Sequence, residues 1–318
     1  METPLDTHIL PYGKNGRKDF SHHLFRCSSL GYLMVEAQGK TNAEKYADAL
    51  DKLNKYCDDL QNLKEFDTKG NVMKSWQNKQ DAVTKQKAIA DELFLIKDEV
   101  ELSETAKVHL SDIHTQLTTG RQTDITNKYI EKGLMVEEDG ITVYSRIKKK
   151  FFKKNETHLK NRFIMGTPDI FDGESITSAI SVPDIKCSWD LYTFRRTLVK
   201  KLNPMYYWQL QGYMWLTGAL TAPLAYCLIN TPMPLIESAK KSLWFKLGQP
   251  DEYDGNFLDA CGELEKSMIY DDLPLNAKLL EYIIERDETC FEMIEKKIIA
   301  ARKYLQWLDN ELNLKQAA

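Results

Sequence analysis

Cysteine and histidine are scarce in this 318-residue chain, and neither type is spaced as a set of metal ligands. The six cysteines contain no CxxC pair and are scattered: Cys27, Cys57, Cys187, Cys227, Cys261 and Cys290. This spacing is not a zinc or iron–sulfur pattern. In a chain of this length it is typical of reduced thiols rather than of a disulfide framework. The histidines also lack ligand spacing with nearby cysteines or acids, so no His/Cys metal site is predicted.

Several other sequence hallmarks are missing. The longest apolar stretch, residues 215–229, is broken by Gly218 and Pro223 and is too short to span a bilayer. The N-terminal residues lack the apolar core of a signal peptide, so we expect a cytoplasmic protein with no membrane partner. The absence of a Walker-type glycine loop argues against an ATPase. The absence of a nucleophile elbow argues against a Ser-His-Asp hydrolase.

The charge balance is mildly acidic, with a formal net charge of −4. This value argues against a passive nucleic-acid binder, which would usually be basic overall. It does not exclude a metal-dependent enzyme, because bound divalent cations change the local sign of clustered carboxylates. Hydrophobic residues make up 42% of the chain and charged residues 28%, as in ordinary globular proteins.

The pattern along the chain predicts a central α/β core between two helical regions. Residues 1–120 are polar at first and then amphipathic with helical spacing, and Ser103 is a candidate helix N-cap. The core is expected at 121–235 and a C-terminal helical region at 236–318. Strands are predicted at 141–147, 157–165, 176–187 and 222–229, and helices at 124–138, 189–200, 204–218 and 276–312. This order suggests a mixed sheet flanked by helices.

Residues 166–186 carry the most informative pattern, Gly-Thr-Pro-Asp followed by Pro-Asp-Ile-Lys. Strand alternation places Asp184 and Lys186 on one face and Ile185 on the other. Such a charged pair is costly on an apolar sheet unless it is paired or bound to metal. The Asp172-Gly173 turn signal predicts a hairpin that brings Asp169 near Asp184. Clustered carboxylates of this kind suit Mg²⁺, which prefers carboxylate and water oxygens.

These motifs resemble the core of the PD-(D/E)XK nuclease superfamily. Gln209 and Tyr213, separated by one helical turn, are similar to the QxxxY helix of the lambda-exonuclease-like and RecB-like branch, which includes the YqaJ-type viral recombination exonucleases. Upstream, Gly133 followed by Glu137 is similar to the helix that brings the first metal-binding acid in that branch. The resemblance is tightest over residues 121–230. It implies a restriction-endonuclease-like mixed β-sheet core flanked by helices, with helical N- and C-terminal additions.

The resemblance also implies a ligand set for the metal. Glu137, Asp169 and Asp184 would hold Mg²⁺, with Mn²⁺ as a substitute, and the Ile185 carbonyl would add a backbone ligand. Glu138, the neighbour of Glu137, leaves the first carboxylate open by one residue.

Three further residues receive catalytic roles from the resemblance. Lys186 would orient the attacking water and stabilise the charged transition state. Gln209 and Tyr213 would position this lysine and the DNA backbone. The alternative for these two is packing within an apolar helix.

DNA-binding residues are expected in two segments. Arg26, Ser28 and Ser29 resemble the arginine-and-serine segment that lambda-type exonucleases place near the terminal phosphate, and a helix cap is the alternative. Lys149 and Lys150 lie in the basic run 148–154, where phosphate contact competes with a solvated turn.

The function that the resemblance implies is a magnesium-dependent DNA exonuclease of phage-type recombination or repair. Its substrate would be double-stranded DNA with free ends, and its partners a single-strand annealing protein and further copies of the chain. Two alternatives stay open. One is a structure-specific or nicking endonuclease with the same catalytic core, and the other is a non-catalytic DNA-binding assembly module.

Overall fold

The computed structural model describes residues 18–122 and 127–317, with side chains to 313, and the fold is mixed α/β. The residues before 18 and the start of the helix predicted from 124 lie outside this range. The strands are β1 Phe25–Arg26, β2 Leu159–Lys160, β3 Ile164–Gly166, β4 Asp184–Ser188, β5 Thr221–Leu228 and β6 Leu279–Glu285. The helices are α1 Leu30–Leu33, α2 Asn42–Gln61, α3 Lys74–Ile96, α4 Glu104–Thr119, α5 Lys128–Met135, α6 Glu137–Lys148, α7 Leu191–Arg196, α8 Pro204–Thr217, α9 Met233–Lys246, α10 Gly255–Lys266 and α11 Glu288–Ala317.

The described residues form two compact units. The second unit contains Leu33–His114 and Lys296–Ala318 and is helical. Within it, the buried Gln86 side chain on α3 donates a hydrogen bond to the Ala49 carbonyl on α2. The Ser103 hydroxyl accepts a hydrogen bond from the Ala106 amide, which confirms the predicted N-cap of α4.

The first unit, His22–Tyr32 and Thr115–Glu295, contains both β-sheets. One sheet has the order β1-β3-β2, with β1 parallel and β2 antiparallel to β3. The other has the order β4-β5-β6, with β4 parallel and β6 antiparallel to β5. Asp184 pairs with Leu224 and Lys186 with Tyr226, so the predicted catalytic strand lies beside the most buried strand of its sheet.

Helix α6 replaces the strand predicted at 141–147. Its buried residues Gly140, Ile141 and Tyr144 recur at helical spacing. In a segment this short, the sequence pattern alone does not distinguish that spacing from strand alternation. A Cβ atom at Gly140 would lie 2.7 Å from Cys187 Sγ, so this glycine lets the helix approach β4 closely. Cys187 and Ile185 therefore face α6, which confirms that they point away from Asp184 and Lys186.

Several further predicted elements were wrong in detail. The helix predicted at 124–138 ends at Met135, and Glu137 begins α6 instead. The strand predicted at 176–187 begins only at Asp184, because Ile176–Ser178 form a 3₁₀ turn, and the helix predicted at 189–200 spans only Leu191–Arg196. The strand predicted at 157–165 is a β2–β3 hairpin, because the Asn161 side chain accepts hydrogen bonds from the Phe163 and Ile164 amides and closes a turn. The helix predicted from 276 begins only at Glu288, because the apolar residues of β6 pair with β5 instead. The periodicity of a short apolar run does not distinguish a helix from a strand.

Helix α8 closely matches the helix predicted at 204–218. Asn203 caps it by accepting from the Met205 amide, Pro204 opens it, and Gly218 ends it in the left-handed conformation at φ 81°. Leu210 and Met214 are fully buried, which fixes this helix against the core of the unit. Across the described residues, no helix is both long enough and apolar enough to cross a bilayer.

Candidate active site

Asp184 and Lys186 form an ion pair at the start of β4. Only 1% of Asp184 is exposed, and its Oδ2 lies 2.7 Å from Lys186 Nζ. The same oxygen receives no well-aligned hydrogen bond. Among the described residues, its negative charge is therefore offset only by the Lys186 ammonium. A buried carboxylate oxygen with spare acceptor capacity is the kind of ligand that a cation completes.

Asp169 reaches this pair from the loop that follows β3. Its Oδ2 accepts a hydrogen bond of 2.8 Å from the Ile185 amide, although β3 and β4 belong to different sheets. The predicted closeness of Asp169 and Asp184 is therefore present, but the predicted pairing of their strands is not. Desolvation of the Asp169 carboxyl and repulsion from Asp184 raise the pKa of Asp169 to about 7.

Lys186 keeps its positive charge in this setting. Burial disfavours the ammonium, but the carboxylates of Asp184 and Asp169 outweigh it and raise the pKa of Lys186 above its ordinary value. Its Nζ also lies 5.1 Å from the centre of the Tyr206 ring, within the range of a cation–π contact. The site thus combines a fixed cation with two closely spaced acids.

Gln209 connects helix α8 to the acids. Its Nε2 donates to Asp184 Oδ1 at 3.0 Å and to Tyr213 Oη at 3.1 Å. Burial, and then the charge of Asp184, raise the pKa of Tyr213 well above its ordinary value, so its hydroxyl stays protonated. The two polar residues of the QxxxY motif therefore face the site, even though the helix around them is apolar.

Glu137 lies in the first turn of α6 and is paired with a lysine that the sequence did not single out. Its Oε2 is 2.8 Å from Lys154 Nζ. The hydrogen bond that Lys154 donates to Glu137, together with the charges of Glu137, Glu138 and Asp169, raises the pKa of Lys154. Lys154 ends the basic run 148–154, and that run was the only available signal. Glu137, and not its neighbour Glu138, makes this contact.

Two of the three predicted metal-binding acids fit a shared hard cation. Within residues 18–122 and 127–317, no group of three or more His, Cys, Asp or Glu residues is placed to hold a metal. Asp169 and Asp184 still offer carboxylate oxygens side by side, which suits Mg²⁺ because it binds few protein ligands and keeps several waters. The Oε2 atom of Glu137 is instead paired with Lys154.

The predicted DNA-binding residues lie in two places. Arg26 and Ser28 are exposed around a 3₁₀ turn, and the Ser29 hydroxyl donates to the Arg26 carbonyl at 3.1 Å. The buried Cys27 between them packs against α8, where a Cβ atom at Gly212 would lie 3.0 Å from its Sγ. The first segment is thus held beside the helix that carries Gln209.

Lys149 and Lys150 follow the end of α6. Lys149 ends this helix in the left-handed conformation at φ 54°. Lys150 forms an ion pair with Asp172. Lys150 is therefore already neutralised by a carboxylate, which lowers the gain from binding a phosphate.

Comparison with solved structures identifies the fold. A phage-related exonuclease from Haemophilus somnus 129PT is 22% identical and superposes with a TM-score of 0.56 over 92% of this chain and 97% of its own. The chain therefore has the fold of that protein.

Similarity to an alkaline exonuclease is weaker. The enzyme LHK-Exo from Laribacter hongkongensis is 17% identical, with a TM-score of 0.46 over 68% of this chain and 87% of its own. The structure of LHK-Exo in complex with dAMP is 18% identical over the same shares, again with a TM-score of 0.46. No protein-family model matches the sequence, and no curated protein matches it.

Proposed function

We propose that this chain is a magnesium-dependent DNA exonuclease that acts in phage-type recombination or repair. The main observation behind the proposal is a buried cluster of three charged residues. The Lys186 ammonium pairs with Asp184, and Asp169 is close enough for the charge of Asp184 to raise its pKa. The shared fold with a phage-related exonuclease supports it. In this account, residues 121–235 form a restriction-endonuclease-like PD-(D/E)XK core. Residues 1–120 contribute helices to the nuclease domain, and 236–318 form the C-terminal helical region.

Asp169, Asp184 and the Ile185 carbonyl would hold the metal, with Glu137 as the third carboxylate. When bound, a magnesium ion supplies an activated water and neutralises phosphate charge. Burial, and then the charge of Asp184, raise the pKa of Asp169, and a divalent cation would offset the negative charge of the two aspartates. Mn²⁺ would substitute because it accepts the same oxygen ligands.

Lys186 would orient the attacking water and stabilise the charge that develops on the phosphate. A fixed ammonium in a water-poor site acts electrostatically without reorganising during the reaction. Gln209 would hold the Asp184 carboxylate in one orientation from the opposite side, and Tyr213 would hold Gln209. Such preorganisation is the contribution that buried hydrogen bonds make to catalysis.

The proposed substrate is double-stranded DNA with free ends. Arg26, Ser28 and Ser29 would bind the terminal phosphate, because an arginine and hydroxyls suit its geometry. Lys149 and Lys150 would contact the DNA backbone, with Lys150 exchanging Asp172 for phosphate. A single-strand annealing protein and further copies of this chain are the proposed partners. Failure of an annealing protein to co-purify with this chain would contradict that pairing.

Digestion of labelled linear duplex and closed circular DNA, each with Mg²⁺ and with EDTA, tests the function. The proposal expects Mg²⁺-dependent loss of the linear DNA and survival of the circle, and the position of the label then gives the polarity. Cleavage of the circle would instead establish an endonuclease. Binding without cleavage of either substrate would establish a DNA-binding module.

A further inference from the structure

A segment directly after the catalytic strand carries an unusual excess of positive charge. Residues 191–201 contain four basic residues, Arg195, Arg196, Lys200 and Lys201, and no acid, within a chain of net charge −4. All four are exposed. Such a concentration of one sign is unfavourable by itself and attracts a polyanion.

These four cations also lack the carboxylate partners that other lysines of the unit have. In the described part of the chain, none of the four forms an ion pair with an acid, whereas three lysines of the run 148–154 are each paired. Those pairs are Lys148 with Glu281, Lys150 with Asp172 and Lys154 with Glu137. A lysine without a carboxylate can bind phosphate with no ion pair to break. Residues 195–201 therefore carry four cations without an ion pair among the described residues, whereas the run 148–154 keeps two, Lys149 and Lys153.

Exposed apolar and aromatic side chains accompany the cations. Tyr192 is 72% exposed and Val199 85%. On α5, the exposed Tyr129 contacts Trp189 edge to face with ring centres 4.9 Å apart, and Lys128 Nζ lies 5.2 Å from the centre of the Trp189 ring. Aromatic faces among cations are the combination that binds unpaired nucleic-acid bases and their phosphates together.

The scaffold holds this surface in place. Asp190 and Thr193 form a capping box at the start of α7. Phe194 is buried with Leu228. The Tyr282 hydroxyl donates to the Thr197 carbonyl at 2.7 Å. The exposed side chains therefore project from a backbone that is anchored on both sides of α7.

We propose that residues 189–201, together with Lys128 and Tyr129, are a binding surface for the DNA strand that continues from the cleavage site. This inference rests on the proposed nuclease function. Trp189 follows the last residue of β4, about 16 Å along the strand from Asp184 at about 3.3 Å per residue. The surface would thus contact nucleotides a few positions away from the scissile phosphate. Lysine and arginine bind their phosphates, and Tyr192 stacks on a base.

Fluorescence anisotropy with labelled DNA in EDTA tests the surface without cleavage. The duplex carries a single-stranded overhang, and salt is varied. The variant Lys200→Gln/Lys201→Gln should weaken binding and reduce the slope of log affinity against log salt by about one unit per lysine. Lys241→Gln/Lys246→Gln, which removes two exposed lysines from α9, is the matched control and should leave both unchanged.

A second pair of variants tests the aromatic contact. Tyr192→Ala should weaken binding by roughly five-fold or more with the salt slope unchanged, because stacking is not ionic. Tyr253→Ala removes another highly exposed tyrosine and should have no effect.

Wild-type affinity and slope in the Lys200/Lys201 variant would overturn the proposal even if the protein cleaves DNA. So would binding to anionic lipid vesicles without binding to DNA. If the wild type binds DNA but does not cleave it, the nuclease function would be rejected. Loss of DNA binding in these variants would then still uphold the binding surface.

Discussion

Gln209 on α8 donates a hydrogen bond of 3.0 Å to Asp184 on β4, 25 residues earlier in the sequence. The opposite oxygen of the same carboxylate lies 2.7 Å from Lys186 Nζ. Asp184 is thus held between an amide from a neighbouring helix and an ammonium from its own strand. This arrangement gives the buried carboxylate one orientation, which a site for charged substrates requires.

Gln209→Ala should lower the cleavage rate by more than its loss of folding stability explains. The change leaves a buried carboxylate oxygen without its donor, which costs about 1.5–3 kcal/mol, and lets Asp184 reorient. Gln211→Ala is the control on the same helix, because Gln211 bonds the Glu285 carbonyl and the Asp287 amide away from the acids. Urea unfolding and single-turnover cleavage should show two destabilised proteins, only one of them catalytically impaired. Equal catalytic losses would contradict the positioning role.

Gly140→Ala should destabilise the protein by about 1–3 kcal/mol, as overpacked contacts do. The added Cβ would lie 2.7 Å from Cys187 Sγ and 2.9 Å from Ile185 Cγ2, which would push α6 away from β4. Gly133→Ala is the matched change in α5, where the Cβ meets open space. It should stabilise the helix by up to about 1 kcal/mol. Denaturant unfolding measures both, and a stable Gly140→Ala protein would refute the close approach.

Lys132 should make stability rise with pH. Only 1% of the residue is exposed, and burial lowers the pKa of this lysine to about 8 from 10.5. Between these values the unfolded chain holds a proton that the native state has lost. The free energy of unfolding therefore rises by at most about 1.4 kcal/mol per pH unit. The rise in unfolding free energy ends above pH 10.5, the ordinary pKa of lysine. Below about pH 8, Lys132 is charged in both states, and the full cost of burying its charge lowers the stability.

Urea unfolding from about pH 8 to about pH 10 checks this dependence. Lys132→Met should flatten the rise seen in the wild type, whereas Lys128→Met, one turn earlier and exposed, should keep it. Identical slopes in all three proteins would show that Lys132 is not the titrating group.

Lys154→Gln should strengthen Mn²⁺ binding by up to about five-fold, the value of a partly exposed ion pair. The reason is that Glu137 no longer has Lys154 as a competing partner at 2.8 Å. Calorimetric titration with Mn²⁺, in the absence of DNA, measures the affinity. Lys153→Gln removes the adjacent exposed lysine and should leave it unchanged. Weaker Mn²⁺ binding by the Lys154 variant would mean that Glu137 is not a ligand.

The sequence predicted the site better than it predicted the strands around it. The spacing of Asp184 and Lys186, and of Gln209 and Tyr213, is local, so strand and helix periods place each pair on one face. Helix α8 was equally accessible, because Asn203, Pro204 and Gly218 mark its ends. These features depend on residues a few positions apart.

The errors arose where long-range packing decides. Residues 141–147 alternate like a strand, and only contact with β4 across Gly140 selects a helix. The apolar residues of β6 fit a helix until β5 supplies their backbone partners. The turn signal correctly predicted that Asp169 lies near Asp184, but the hydrogen bond from the Ile185 amide to Asp169 is a tertiary contact that it does not encode. Lys154 likewise becomes a candidate only when its distance to Glu137 is known.

Single-turnover cleavage of end-labelled linear duplex by Lys186→Ala, with Mg²⁺, tests the central claim most directly. Lys241→Ala serves as the exposed-lysine control, and DNA affinity in EDTA is measured for both. We expect Lys186→Ala to bind DNA like the wild type and to cleave it at least about a hundred-fold more slowly, because removal of a transition-state donor has an effect of this size. Cleavage by Lys186→Ala at the rate of the control would contradict it.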